Sequence, residues 1–300
     1  MMIKKMFFAA LALGVFASSC SDDDDNNTAS NTANLTLNLE GLEPLGSDFV
    51  YEGWIIVPGE QLPVSTGLFN VDDAGALSQT SFTVDAAQLE AATRFVVSIE
   101  PVGETGQAAL DPADTKLLVG EFSGTTAQVN TGIVGDFSDA SGTFFLRTPT
   151  DEMPMMNNGN DQYGVWFGAP GMPPTPNFVL PTLPAGWAYE GWVIGETGPI
   201  STGTFTDFGA RDSFSAFSET MQPGPPVPGE DFFLAAPAGE TFPLDVRGRM
   251  VVVSVEPVPD DSPRPFVMKP LVGTAGQETA PSSHDFGQNL GTLPTGTVTR

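Results

Sequence analysis

The chain writes one tetrapeptide twice, as Tyr51-Glu52-Gly53-Trp54 and Tyr189-Glu190-Gly191-Trp192. The residues behind each copy repeat in the same order. Ser65-Thr66-Gly67 with Phe69 returns as Ser201-Thr202-Gly203 with Phe205. Ser98-Ile99-Glu100-Pro101-Val102 returns as Ser254-Val255-Glu256-Pro257-Val258, and Leu118-Val119-Gly120 as Leu271-Val272-Gly273. Four matched blocks in one order mean a duplicated unit, and a period this long is a whole domain and not a solenoid turn. The copies run over residues 34–139 and 140–300. The second is longer between its Ser-Thr-Gly and Ser-Val-Glu-Pro-Val blocks, where Met221 to Gly229 is too rich in Pro and Gly for a helix or a sheet interior. A surface loop accommodates such a gain.

Both copies read as strand. Leu35 to Glu40 alternates strictly, the pattern of a half-buried strand. Val50 to Val57 is apolar on both faces, as a central strand is. Arg94 to Ile99 and Arg249 to Val255 are β-branched runs that end near a proline. Thr143 to Leu146 and Tyr163 to Phe167 open the second copy. Only Asp85 to Thr93 invites a helix, with Asp85 as its cap and Gln88 three residues on. Short strands punctuated by 33 Gly and 27 Pro predict an all-β protein of two tandem β-sandwich, Ig-like domains with at most one short helix each.

The first 19 residues carry Lys4 and Lys5, an apolar run from Met6 to Phe16, and Ala17-Ser18-Ser19 before Cys20, the only cysteine. The apolar run has signal-peptide length and is too short to span a bilayer. The pattern is that of a bacterial lipoprotein signal, with Cys20 as the lipidated first residue of the mature chain. Residues 20–33 then read as a tether, opening with Ser21 and four consecutive aspartates. Like charges extend such a linker and hold it off an anionic membrane. The expected address is the outer membrane, exposed at the cell surface, with its periplasmic face as the alternative. The expected partners are the membrane, through the lipid on Cys20, and a protein or glycan. A net charge of −26 argues against nucleic acid, which needs Lys and Arg to neutralise phosphate. No Gly-rich phosphate loop leads from a strand into a helix, so no nucleotide is expected.

The order Tyr-x-x-Trp, then Pro-x-Ser-x-Gly-x-Phe, then Ser-(Val/Ile)-Glu-Pro resembles the extracytoplasmic C-terminal domain of anti-sigma-K-type factors. Tyr51, Trp54, Pro63, Ser65, Gly67, Phe69 and Ser98 to Pro101 carry it in the first copy. Tyr189, Trp192, Pro199, Ser201, Gly203, Phe205 and Ser254 to Pro257 carry it in the second. The sigma-binding helical region and membrane span of such factors have no counterpart here, where a lipoprotein signal stands instead. The resemblance therefore implies the outer-domain fold and not sigma-factor sequestration.

For chemistry, the repeated acids stand out. Glu52 with Glu100, and Glu190 with Glu256, could form a carboxylate pair in each copy, suited to acid/base work or a hard cation. The plainer reading is that each accepts backbone N–H groups, and the motif positions Tyr51, Trp54, Gly67, Phe69, Glu100, Tyr189, Trp192, Gly203, Phe205 and Glu256 are then structural. Trp54 and Trp192 are either core residues or stacking platforms for sugars. Gly53 and Gly191 call for a bulky neighbour close above them. Asn70 to Gly75 lacks the acidic spacing of a calcium loop and reads as a hairpin turn, as does Thr206 to Gly209. His284, the only histidine, has no triad or zinc partners nearby, and Met153, Met155 and Met156 lie in a loop. No catalytic residue, cofactor or metal is expected. A non-enzymatic binding or sensing module leads; a hydrolase or metal-dependent enzyme using the Glu pairs, and a spacer or adhesin, are the alternatives. A binding module calls for an exposed apolar patch, expected near the 219–233 loop.

Overall fold

The strict alternation of the first strand is borne out in a computed structural model, which describes residues 31–153, 156–260 and 262–300. In β1 (Thr32–Glu40), Leu35, Leu37 and Leu39 are buried while the residues between them face solvent. The first copy continues with β2 (Phe49–Ile56), β3 (Val64–Phe69), β4 (Ser81–Asp85), β5 (Arg94–Pro101), β6 (Lys116–Ser123) and β7 (Thr126–Asn130). Its only α-helix is α1 (Ala86–Ala91), started where Asp85 accepts the N–H groups of Ala87 and Gln88 at 2.9 and 3.0 Å. That satisfies two of the donors a helix start leaves open.

The second copy holds β8 (Thr143–Phe145), β9 (Gly164–Phe167), β10 (Trp187–Ile194), β11 (Pro199–Phe205), β12 (Gly229–Asp231), β13 (Met250–Pro257), β14 (Leu271–Thr274), β15 (His284–Asp285) and β16 (Gly287–Gln288). β17 (Thr295–Thr299) closes the chain. The protein is all-β, with antiparallel sheets in a sandwich-like arrangement. The repeated blocks occupy neighbouring strands in the same order: β3-β2-β5-β6 in the first copy and β11-β10-β13-β14 in the second, with β3 and β11 at the sheet edges. Both contain the same irregularity, a register shift beside the glycine of Glu-Gly-Trp. Opposite it stand Gly67 at φ +130° and Gly203 at φ +116°, conformations that a side chain rarely adopts.

β17 belongs by sequence to the second copy and by hydrogen bonding to the first. It lies between β7 and β1 in the eight-stranded sheet β3-β2-β5-β6-β7-β17-β1-β4. The place it fills is the one β8 fills in the second copy, beside β9 in the sheet β12-β9-β8-β15. The eight-stranded sheet thus draws its strands from both sides of residues 139 and 140. Val298 of β17 is fully buried, and Arg300 donates to the carbonyls of Leu89 and Ala92 at the end of α1 (2.7 and 2.6 Å). One contiguous hydrophobic core runs from Leu35 through Tyr51, Phe69 and Phe95 to Tyr189, Phe205, Val253 and Val298, joining both copies.

Candidate functional site

Period two puts Tyr51 and Ile55 into the common core and turns Glu52 and Trp54 to the other face of β2. Tyr51 stacks on Phe69 at 5.4 Å and Tyr189 on Phe205 at 5.9 Å. Each tyrosine hydroxyl donates to the carbonyl eight residues upstream, Glu43 at 2.9 Å and Pro181 at 2.6 Å. Over Gly53 and Gly191 a Cβ would strike Thr66 Oγ1 at 2.5 Å and Phe167 Cε2 at 2.2 Å, so the close neighbours these glycines call for are present.

On the outer face the motif blocks bond to one another. Trp54 Nε1 donates to Ser98 Oγ at 2.8 Å, and the Ser98 hydroxyl donates to Glu100. Trp192 Nε1 donates to Ser254 Oγ at 2.8 Å, and that hydroxyl donates to Glu256. Ser65 donates to Glu52, and Ser201 to Glu190. Trp54 and Trp192 are 1% and 2% exposed, which removes them as stacking platforms. The loops after β5 and β13 fold back over this face. Ala113 N–H reaches Glu100 Oε1 at 2.9 Å, and Phe266 N–H reaches both oxygens of Glu256 at 2.9 and 3.1 Å.

The structure brings each Glu pair to neighbouring strands on one face: Glu52 is opposite Ser98 and Glu100 opposite Val50, while Glu190 is opposite Ser254 and Glu256 opposite Ala188. A third acid joins the second pair. One carboxylate oxygen from each of Glu190, Glu256 and Asp260 lies within 4.8 Å of the other two. Asp260 follows Glu256 by four residues, and Glu104 follows Glu100 at the same spacing. That shared spacing was the signal in the sequence that could have found it. Burial pushes Glu190 up to about 7 and Glu256 up to about 8, with the Asp260 charge adding to both. Burial also raises Glu52 and Glu100, and Glu104 adds to that.

Beside this cluster, a cavity of about 450 Å³ opens on the seam between the copies. Leu45, Phe49 and Pro101 wall it from the first copy, Pro263 and Phe266 from the second, and Glu256 and Asp260 contribute charge. The seam is tied by Glu43, whose carboxylate takes the Val267 N–H and feels the Lys269 charge; burial still lifts it to about 7.

The 219–233 loop does not offer the apolar patch expected of it. Val227 and Phe232 are fully buried and Gly229–Asp231 is the edge strand β12, leaving Met221 with Pro223 and Pro226 exposed there and no other large hydrophobic side chain. The insertion folds inward because its second half completes a sheet. Asn70 to Gly75 is a turn, with Asp72 accepting the Ala74 and Ala76 N–H groups at 2.9 Å. His284 lies in β15, 5.3 Å from the Phe144 ring, with its Nε2 3.0 Å from the Glu278 carbonyl. Met153 and Met156 are exposed. Cys20, the signal, the start of the tether and Met155 lie outside the described residues. No helix among the described residues is long and apolar enough to cross a membrane.

The model of the family described as anti-sigma-K factor rskA, C-terminal, matches residues 25–115. The resemblance read from the repeated motif is thus found independently over the first copy as far as the loop after β5, which is similar to an anti-sigma-factor extracytoplasmic domain. No curated protein and no solved structure matches the chain.

Proposed function

We propose that the chain is a non-catalytic lipoprotein of the cell envelope, held at the outer membrane by a lipid on Cys20, that binds or senses a partner in the cavity between its two copies. The observation that carries this reading is that cavity, about 450 Å³, apolar on most of its wall and acidic at Glu256 and Asp260. Pockets of this size with a few fixed polar groups are where proteins take ligands. The fitting partner is a cationic, partly apolar segment of an envelope protein, and the net charge of −26 would draw it in. A hydrolase built on the Glu pairs has less support. Glu100 and Glu256 are each bound by a serine hydroxyl and by the N–H of their own covering loop, as structural acceptors are.

The test is one fractionation experiment with a labelled peptide of alternating Lys and Leu, and a Glu/Leu peptide beside it. Membranes from cells making the full chain are expected to bind the Lys/Leu peptide only. Cys20→Ser should move both chain and binding to the soluble fraction. Leu45→Arg, on the cavity wall, should leave the chain in the membrane without binding. Equal binding of both peptides, or binding unmoved by Leu45→Arg, would discard the cavity, and a membrane-bound Cys20→Ser chain would discard the anchor.

A further inference from the structure

We propose that the second copy holds a divalent cation of the calcium class at Glu190, Glu256 and Asp260. The site shares Glu256 and Asp260 with the wall of the neighbouring cavity, but it does not depend on what that cavity binds. Three carboxylate oxygens within 4.8 Å of one another fit around an ion whose metal–oxygen distances are about 2.3–2.6 Å. Magnesium is a poorer fit, because it keeps most of its own water and demands a regular octahedron.

Glu190 supplies the second observation. It is 5% exposed, its Oε1 takes the Ser201 hydroxyl, and its Oε2 is a buried oxygen with no donor. A carboxylate oxygen of Glu190 lies within 4.8 Å of one of Asp260. Ionised carboxylates only accept, so two that meet need a proton or a cation between them. Lys269 adds a positive charge near Glu256, short of what three carboxylates require.

The ligands are also held in place. Phe266 N–H fixes Glu256, and Ser262 N–H fixes Asp260 Oδ1 at 2.8 Å. Both residues line the seam cavity, which gives an ion its way in. The first copy serves as an internal comparison. Glu52, Glu100 and Glu104 repeat the set, and Glu100 Oε2 is likewise buried with no donor. Among the described residues, however, only the second-copy trio draws its oxygens so close together. The site is therefore assigned to the second copy alone.

The full chain in detergent, stripped with chelator, would be titrated with calcium by calorimetry. Terbium would serve as a luminescent probe excited through Trp192, whose indole is linked to Glu256 through Ser254. The expected result is one calcium with a Kd of about 10⁻⁴–10⁻³ M, the range of extracellular modules, and terbium emission that calcium displaces. Glu190→Gln and Asp260→Asn should each weaken binding at least tenfold, while Glu104→Gln leaves it unchanged. Asp260 is partly exposed, so its variant keeps the far-ultraviolet dichroism of the parent even where Glu190→Gln does not fold. Absence of heat up to about 10 mM calcium would overturn the assignment, that concentration lying well above the weakest of such sites. So would the same affinity in Asp260→Asn, or an equal response to magnesium, which reports only screening of an acidic surface. Peptide binding measured in chelator separates this outcome from the fate of the cavity.

Discussion

One hydroxyl, Ser98 Oγ, accepts the Trp54 indole N–H and donates to Glu100, and Ser254 does the same between Trp192 and Glu256. Both serines are fully buried, so no water replaces a lost bond. This explains why Trp travels with Ser and Glu in the repeat although it is 44 residues from the serine in the first copy and 62 in the second. Removing the hydroxyl strands an indole N–H and takes a donor from a buried carboxylate, at a cost of about 1–3 kcal/mol. Ser98→Ala is therefore expected to lower stability by that amount in urea denaturation. Once Ser98 is gone, Trp54→Phe has no hydrogen bond left to break. The double variant should lose less than the two single losses together, by at least about 0.5 kcal/mol, as partners in one network do. Additive losses would mean that the two side chains are neighbours without being coupled. The sites of the repeated glutamates were legible at this scale because they recur. Asp260 was not, because its approach to Glu190 depends on how a proline-containing loop folds back, and the change from Glu104 to Asp260 hides the match.

At the scale of elements, the repeated blocks named the central strands and their equivalence, since β2 and β5 carry long apolar runs that must be buried on both faces. β17 escaped. Its Thr-Gly-Thr-Val-Thr buries only Val298, and nothing in five such residues says which copy they complete. The pairing is decided by the vacant edges of β1 and β7, which exist only once the rest of the sheet is built. Edge strands left open template aggregation, so the closure has a protective role as well. Thr297 faces Asn38 on one side and Gln128 on the other. Proline there removes a ladder bond from a strand with neighbours on both sides, which such strands do not tolerate. Thr297→Pro is expected to destabilise the whole molecule by about 3 kcal/mol or more, as judged from the denaturation midpoint. Proline at Thr83, on the edge strand β4, should cost clearly less. Equal midpoints for the parent and Thr297→Pro would show that the first copy stands without the last strand. The inward fold of the 219–233 insertion was hidden for a related reason: a run of Pro and Gly marks where the chain turns, not which sheet edge awaits the residues beyond it.

At the scale of the whole molecule, one core joins two repeats under a strongly acidic surface, and several acids lie inside it. A second cavity of about 230 Å³ is lined by Asp212 and Glu230, and burial lifts Glu230 to about 8 and Asp212 and nearby Asp231 to about 7. Each also holds N–H donors that favour its charge: Phe217 on Glu230, Gly229 on Asp212, and Thr150 with the Trp166 indole on Asp231. Burial outweighs them. These groups bind protons more tightly folded than unfolded, so between roughly pH 4 and 8 the native state carries more protons and stability falls as pH rises. Growing repulsion among surface carboxylates acts in the same direction. Below that window the sign reverses for Asp245, whose bond to Arg247 holds it under its ordinary value and is lost as acid protonates it. The thermal midpoint, measured in chelator, should therefore peak near pH 4 and drop by several degrees toward pH 8, since about 1 kcal/mol moves a chain of this size by about 2–4 °C. Glu230→Gln keeps an acceptor for Phe217 and removes the ionisation, so it should flatten that slope while barely changing the midpoint at pH 4. A midpoint that climbs from pH 4 to 8, or a slope unchanged in Glu230→Gln, would mean that these carboxyls ionise in the folded protein at their ordinary pH.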